Sequence, residues 1–159
     1  MATISIRQAT TEDDGEAAAV DRSAIATLRK TYRPTRAALD EQARRSAASA
    51  PTRLVAIVDH QVVGTVQYFH QEDRVHLLGL GVHDRFQRQG VARALVEHLM
   101  TLGREHGARC LSLHTVKETG NVMIFRKMGF DSISEGPDAY SESKDFECLT
   151  DIYMEKSCE

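Results

Sequence analysis

Residues Leu77–Leu95 read LLGLGVHDRFQRQGVARAL, and the change of period inside this run decides how the rest of the chain is assembled. Val75–Val82 is a strongly apolar strand, and a basic turn carrying Arg85 and Arg88 follows it. From Gly90 onward Val91, Ala94, Leu95, Leu99 and Leu102 recur at helical spacing, and Gly107 stands where a helix C-cap belongs. A helix N-terminus exposes unpaired N–H groups and the positive end of the helix dipole, which together hold phosphate. Gly90 lets the backbone come close to an anion, Ala92 keeps the next turn uncluttered, and Arg85, Arg88 and Arg93 add positive charge. The plain alternative is an ordinary helix start with surface arginines. The order strand, turn, glycine, helix favours an anion site.

Two familiar phosphate signatures do not fit. No GxxxxGK[ST] run exists. Gly79-Leu80-Gly81 supplies the first half of GxGxxG, but Asp84 stands where the third glycine belongs, and both glycines fall inside the strand rather than at the turn. Glycine within a strand marks either close approach of another chain or ligand, or a bulge.

Upstream, Thr3–Arg7 alternates Ile4 and Ile6 with polar residues and reads as a strand. Thr11–Asp14 supplies N-cap chemistry for a helix whose apolar positions are Ala18, Val20, Ile25 and Leu28. Pro34 is expected in the first turn of a second helix over Thr35–Ala48, closed by Pro51. Leu54–Val58 and Val62–Phe69 form a hairpin around Asp59–His60, and a turn at Gln71–Asp73 leads into the Val75–Val82 strand. Downstream come a strand at Arg109–Thr115, a short helix at Asn121–Met128 stopped by Gly129, and closing strands Phe130–Ser134 and Cys148–Met154. A polar connection with Gly136 and Pro137 is expected between those two strands. The order β-α-α-β-β-β-α-β-α-β-β predicts an α/β (α+β) fold, a mixed central sheet of about seven strands flanked by about four helices. With no internal repeat and no linker, residues 1–159 read as one domain.

Composition agrees. The chain has 159 residues, 42% hydrophobic and 27% charged, in the range of ordinary globular proteins. No apolar run approaches the roughly 20 residues that cross a bilayer, and Met1–Arg7 does not resemble a secretory leader, so a cytoplasmic location without membrane contact is expected. A net charge of −3 argues against binding duplex nucleic acid. Arg29–Arg53 carries a net +5 and Asp131–Glu159 a net −7, read either as solvated surface or as a basic and an acidic side able to take ligands of opposite charge. Cys110, Cys148 and Cys158 are odd in number and scattered, and the seven histidines include no HExxH; neither a disulfide framework nor a metal site is expected.

Gln87-Arg88-Gln89-Gly90-Val91-Ala92 fits [Q/R]xxGx[G/A] and resembles the acetyl-CoA pyrophosphate loop of the GNAT N-acetyltransferase superfamily. The LGLGV strand end, the element order, and Phe125-Arg-Lys-Met-Gly-Phe130, which resembles the family's Tyr-x-x-x-Gly-Phe segment, agree with it. The resemblance spans essentially the whole chain and implies a GNAT-like acyl-CoA N-acyltransferase fold with acetyl-CoA as co-substrate. It implies that backbone groups of Leu80 and Val82 pair with the pantetheine arm. Backbone N–H groups of Arg88, Gly90, Ala92 and their neighbours Gln89, Val91 and Arg93, with Gln87, would hold the pyrophosphate.

Acyl transfer from a thioester to an amine requires a base, a donor for the oxyanion, and departure of the thiolate. The Val82 N–H is the expected donor. For the base, Glu118 and His114 stand ahead of His76 and His83. His76, placed on one strand face with Leu78, Leu80 and Val82, reads as a satisfied core histidine. Phe125 departs from the family, many of whose members carry a Tyr there to protonate the thiolate; either this acid is absent or Tyr140 or Tyr153 supplies it. Asn121 is a candidate pantetheine contact, with a helix N-cap role as its alternative.

The amine acceptor, in the resemblance, lies against Tyr32–Ala48 and Ser134–Phe146, where Tyr32, Arg33 and Tyr140 are candidate contacts. Glu135, Asp138, Glu142 and Asp145 read either as a solvated loop, the slightly favoured alternative, or as acids that attract a cationic amine. A small-molecule or peptide amine is expected as partner, and a homodimer is compatible. Three functions stay open: an N-acetyltransferase acting on a primary amine, a non-catalytic acyl-CoA-binding or regulatory module, and an unrelated phosphate- or nucleotide-binding domain.

Overall fold

The computed structural model describes residues 3–48 and 50–159. The chain runs β1 (Ser5–Gln8), α1 (Asp14–Leu28), β2 (Arg33–Pro34), α2 (Arg36–Ala48), β3 (Thr52–Val58), β4 (Gln61–Gln71), β5 (Arg74–Val82), α3 (Val91–Glu105), β6 (Cys110–Val116), α4 (Asn121–Lys127), β7 (Asp131–Pro137), β8 (Ser141–Glu142) and β9 (Thr150–Ser157). Seven strands form one sheet in the order β1-β3-β4-β5-β6-β9-β7, and β2 pairs with β8 in a separate ribbon.

The β3–β4 hairpin turns on Asp59 and His60, both at positive φ, the geometry that lets a two-residue turn follow strand twist. All neighbouring strands of the large sheet are antiparallel except β5 and β6, whose parallel pairing covers only Arg74–His76 against Cys110–Ser112. Beyond those residues the two strands part. One face of the sheet carries α3, whose Val91, Leu95, Val96, Leu99 and Met100 are buried against Leu54, Val66, Leu77 and Leu111. The other face carries α1, which packs on β4 and β5.

Several expectations need correction. Pro34 lies in β2 rather than in the first turn of α2, because its segment pairs with Ser141; Thr35 instead caps α2, its Oγ1 accepting the Ala38 N–H at 3.2 Å. Gly136 and Pro137 belong to β7, paired with Asp151 and Thr150, not to a connection. Helix α1 buries Ala17 and Val20, while Ala18 and Ile25 are exposed. The basic and acidic segments meet at the β2–β8 ribbon, where Arg33 Nε donates to Glu142 Oε1 at 2.8 Å. Arg53 pairs with Asp21 at 3.2 Å, so two charges of the basic segment are matched from outside it.

Candidate active site

Between Leu78, opposite Gln67, and Gly81, opposite Thr65, β5 holds two residues where β4 has only Val66. The extra residue is a bulge, and Gly79 at φ +55° accommodates it. Because side chains alternate, one inserted residue reverses the faces downstream. His76 and Leu78 therefore lie on the α1 face, whereas Leu80 and Val82 turn to the α3 face and pack on its core, which corrects the expectation that all four share one face. Gly81 serves a different purpose: a Cβ there would stand 2.8 Å from Cβ of Ala24 on α1.

The His83 N–H donates to the Val63 carbonyl at 2.8 Å. Val82, opposite Gly64, thus occupies the intervening non-bonded position of the ladder, and its N–H and C=O face away from β4, toward the gap where β5 and β6 separate. Gln87 Nε2 donates to the Val82 carbonyl at 3.3 Å. The Val82 amide is a fixed dipole directed away from β4, on the side where β5 and β6 part.

The turn after β5 is stiffened locally. Asp84 N–H is held by Ser23 Oγ at 3.1 Å, Arg85 N–H by His83 Nδ1 at 3.2 Å, and Gln89 Nε2 donates to the Arg85 carbonyl at 3.3 Å. Arg88 at φ +63° and Gly90 at φ +86° turn the chain into α3. The first intrahelical bond runs from Ala94 N–H to the Gly90 carbonyl at 2.9 Å, so the amides of Val91, Ala92 and Arg93 have no partner within the helix. An added Cβ at Gly90 would meet nothing within 4 Å, which describes an open cradle at a helix N-terminus. Arg85 and Arg88 are exposed beside it, but the Arg93 side chain turns away, donating to the Lys127 carbonyl at 3.2 Å. This donor set, several amides and two free guanidinium groups, fits a diphosphate.

On the α1 face, His114 Nδ1 lies 2.7 Å from Asp151 Oδ2. His76 is buried, its Nδ1 2.8 Å from Ser112 Oγ, and burial, with His114 and Arg74 nearby, holds its pKa down at about 4. It is the satisfied core histidine the sequence suggested. Glu118, in the turn after β6, holds the Thr150 N–H at 2.5 Å and so anchors the start of β9. The Tyr153 hydroxyl donates to Glu155 Oε2 at 2.6 Å and accepts from Arg74, and its pKa is raised mainly by burial. Phe125 is half-buried with its ring 5.9 Å from that of Phe130, edge to face. Asn121 is the first helical residue of α4 rather than its N-cap, which is Gly120 at φ +80°. Asp151 was not among the residues singled out from the sequence; only the β6–β9 register brings it beside His114.

A concavity of about 450 Å3 between α4 and β7, floored by Val122, Ile133 and Ile152, shares no residue with the loop. Among the described residues no group of three or more His, Cys, Asp or Glu converges as a metal site, and no helix is long and apolar enough to cross a membrane.

Comparison with known proteins gives the class. The sequence model of the acetyltransferase (GNAT) family matches residues 19–130, which contain the bulged strand, the loop and α4. Similar solved structures include the ribosomal-protein-S18-alanine N-acetyltransferase of Escherichia coli, at 18% identity and TM-score 0.75, covering 99% of this chain and 95% of that one. A GCN5-related N-acetyltransferase from Kribbella flavida has 20% identity and TM-score 0.73, with 97% of each chain covered. Nourseothricin acetyltransferase has 18% identity and TM-score 0.72, with 98% and 99% covered. No curated protein matches in sequence. The chain belongs to the GNAT acetyltransferase family and is an acyltransferase of that fold; the family's co-substrate is acetyl-CoA.

Proposed function

We propose that this protein transfers the acetyl group of acetyl-CoA to a primary amine by direct attack within a ternary complex. The observation that carries the reading is the continuity of two features: unpartnered amides at the α3 N-terminus, and the Val82 amide facing the gap between β5 and β6. Acetyl-CoA would bring an activated acyl group on a thiol of ordinary pKa about 8.5, a tolerable leaving group without a dedicated acid.

The residues divide the work. Backbone N–H groups of Arg88, Gln89, Gly90, Val91, Ala92 and Arg93, with the Gln87 side chain, would hold the diphosphate. Backbone groups of Leu80 and Val82 would line the pantetheine arm, with Asn121 and Phe125 beside it on α4. The Val82 N–H, held by the strand, would stabilise negative charge developing on the acyl oxygen without reorganising. His114 and Glu118 are the candidate bases. Phe125 cannot donate a proton, and the Tyr153 hydroxyl is committed to Glu155 and Arg74, so it is no substitute acid.

Cys110 and Cys158 are buried, with burial the largest cause pushing their thiol pKa values up, which makes these two poor covalent relays; Cys148 is exposed. Three free thiols suit a cytoplasmic enzyme. The acceptor would approach past the β2–β8 ribbon, which ties the Tyr32–Ala48 and Ser134–Phe146 segments together.

The test is product analysis. The protein, acetyl-CoA and a panel of amino acids, polyamines, aminoglycosides and peptides with free N-termini are incubated, and thiol release and N-acetylated product are measured. A product from at least one amine class is expected. Tight CoA binding with no product from any amine would favour an acyl-CoA-binding module.

A further inference from the structure

We infer that Asp151 is a positioning residue that fixes the tautomer and orientation of His114, so that His114 Nε2 is the atom that takes the acceptor's proton. The inference rests on the acetyltransfer reading above and chooses between its two candidate bases. An ionised carboxylate only accepts hydrogen bonds, so the 2.7 Å contact requires a proton on His114 Nδ1. The neutral ring then carries its lone pair on Nε2. The His114 side chain is 52% exposed, so the ring is accessible to an incoming ligand; the Asp151 side chain is 35% exposed.

The register of β6 and β9 makes the arrangement. His114 lies opposite Tyr153, and Asp151 stands two residues along β9, opposite Val116, the diagonal distance a short carboxylate spans. His114 is two residues past Ser112, the last residue of β6 that pairs with β5, so it sits where the two strands begin to part. That is the same gap the Val82 amide faces.

The groups around the ring agree. His76 on β5 lies 5.5 Å away between centroids and is buried and neutral, so it brings no competing positive charge. Tyr153 on β9, 5.1 Å away, engages its hydroxyl with Glu155 and Arg74 at the other end of the strand. Glu118, the other candidate, holds the Thr150 amide with one carboxylate oxygen at 2.5 Å and the other at 3.3 Å, a structural duty that a proton shuttle would interrupt.

The proton step balances. One N–H bond of the acceptor's ammonium breaks, an N–H bond forms at Nε2, and the imidazolium is stabilised by Asp151 until Nε2 releases the proton to solvent.

The experiment follows the His114 imidazole by 15N NMR at a pH where the ring is neutral, in the wild type and in Asp151→Asn, with His114→Gln identifying the resonance. The Nδ1–H tautomer is expected in the wild type. In Asp151→Asn that tautomer preference should be lost. The kcat/KM for the best amine should fall by about tenfold or more with it, while KM for acetyl-CoA stays within about twofold. Asp151→Glu should restore at least part of the Nδ1–H preference and of kcat/KM. An unchanged tautomer in Asp151→Asn overturns the inference, as does an unchanged kcat/KM. The NMR measurement needs no acceptor, so failure of the dyad is distinguishable from failure of the transferase reading.

Discussion

A methyl group at Gly64 would stand 2.6 Å from Cγ1 of Val91 and 3.3 Å from Cδ1 of Leu95. Gly64 on β4 therefore sets how closely the first turn of α3 lies on the sheet, and with it the position of the amides that face the anion. The same Gly64 lies opposite Val82, so one small residue borders both the start of α3 and the strand position of the proposed oxyanion donor.

Gly64→Ala is expected to overpack this contact. The cost should be about 1–3 kcal/mol in stability, read by urea denaturation. Because the strain falls on Val91, the first residue of α3, affinity for CoA should fall as well. Loss of stability with unaltered CoA affinity would show that the seat of α3 and the anion site are independent.

Gly90→Val should weaken CoA binding by about 100-fold, measured by isothermal titration calorimetry. An added Cβ meets nothing within 4 Å, so the loss would come from the φ of +86°, which a β-branched residue resists, and not from a clash. Gly90→Asn should therefore lose much less, since Asn tolerates this region. Equal losses in the two variants would contradict the conformational argument.

His76 makes stability depend on pH in a defined window. Its pKa in the folded protein, about 4, lies below the ordinary 6.5, so below pH 6.5 the unfolded chain binds more protons than the folded one. The stabilising contribution is fully present above about pH 6.5 and is lost as pH falls toward 4. In denaturation series from pH 7.5 to 4.5, the wild type should lose more stability than His76→Gln. Parallel curves would remove His76 from the account.

Phe125→Tyr tests the departure from the family pattern. A hydroxyl at this position would protonate the leaving thiolate, which Phe125 cannot do, and kcat at saturating substrates should rise at least about threefold. A kcat at or below the wild-type value would mean that residue 125 does not reach the sulphur.

How much could be read beforehand follows from the range of each signal. The seven-stranded mixed sheet, the four helices and the loop at Gln87–Ala92 were legible because period, turn chemistry and glycine placement are local. The β5 bulge was legible only as two in-strand glycines; without the partner strand, alternation assigned His76 and Val82 to one face, and one extra residue reverses that. The β2–β8 ribbon was hidden because two-residue strands carry no period, and Pro34 reads equally well as a helix start. Asp151 was invisible for a related reason. It lies 37 residues from His114 in sequence, and only the pairing of β6 with β9 joins them.

The account depends most on where CoA binds, and a crystal structure of the protein with bound CoA tests that directly. The diphosphate should lie against the amides of residues 88–93, with the pantetheine arm running along β5 past Leu80 and Val82 into the gap beside β6. A CoA molecule bound away from that turn, with the Val82 amide facing only solvent, would contradict the assignment of the loop, the oxyanion donor and the base together.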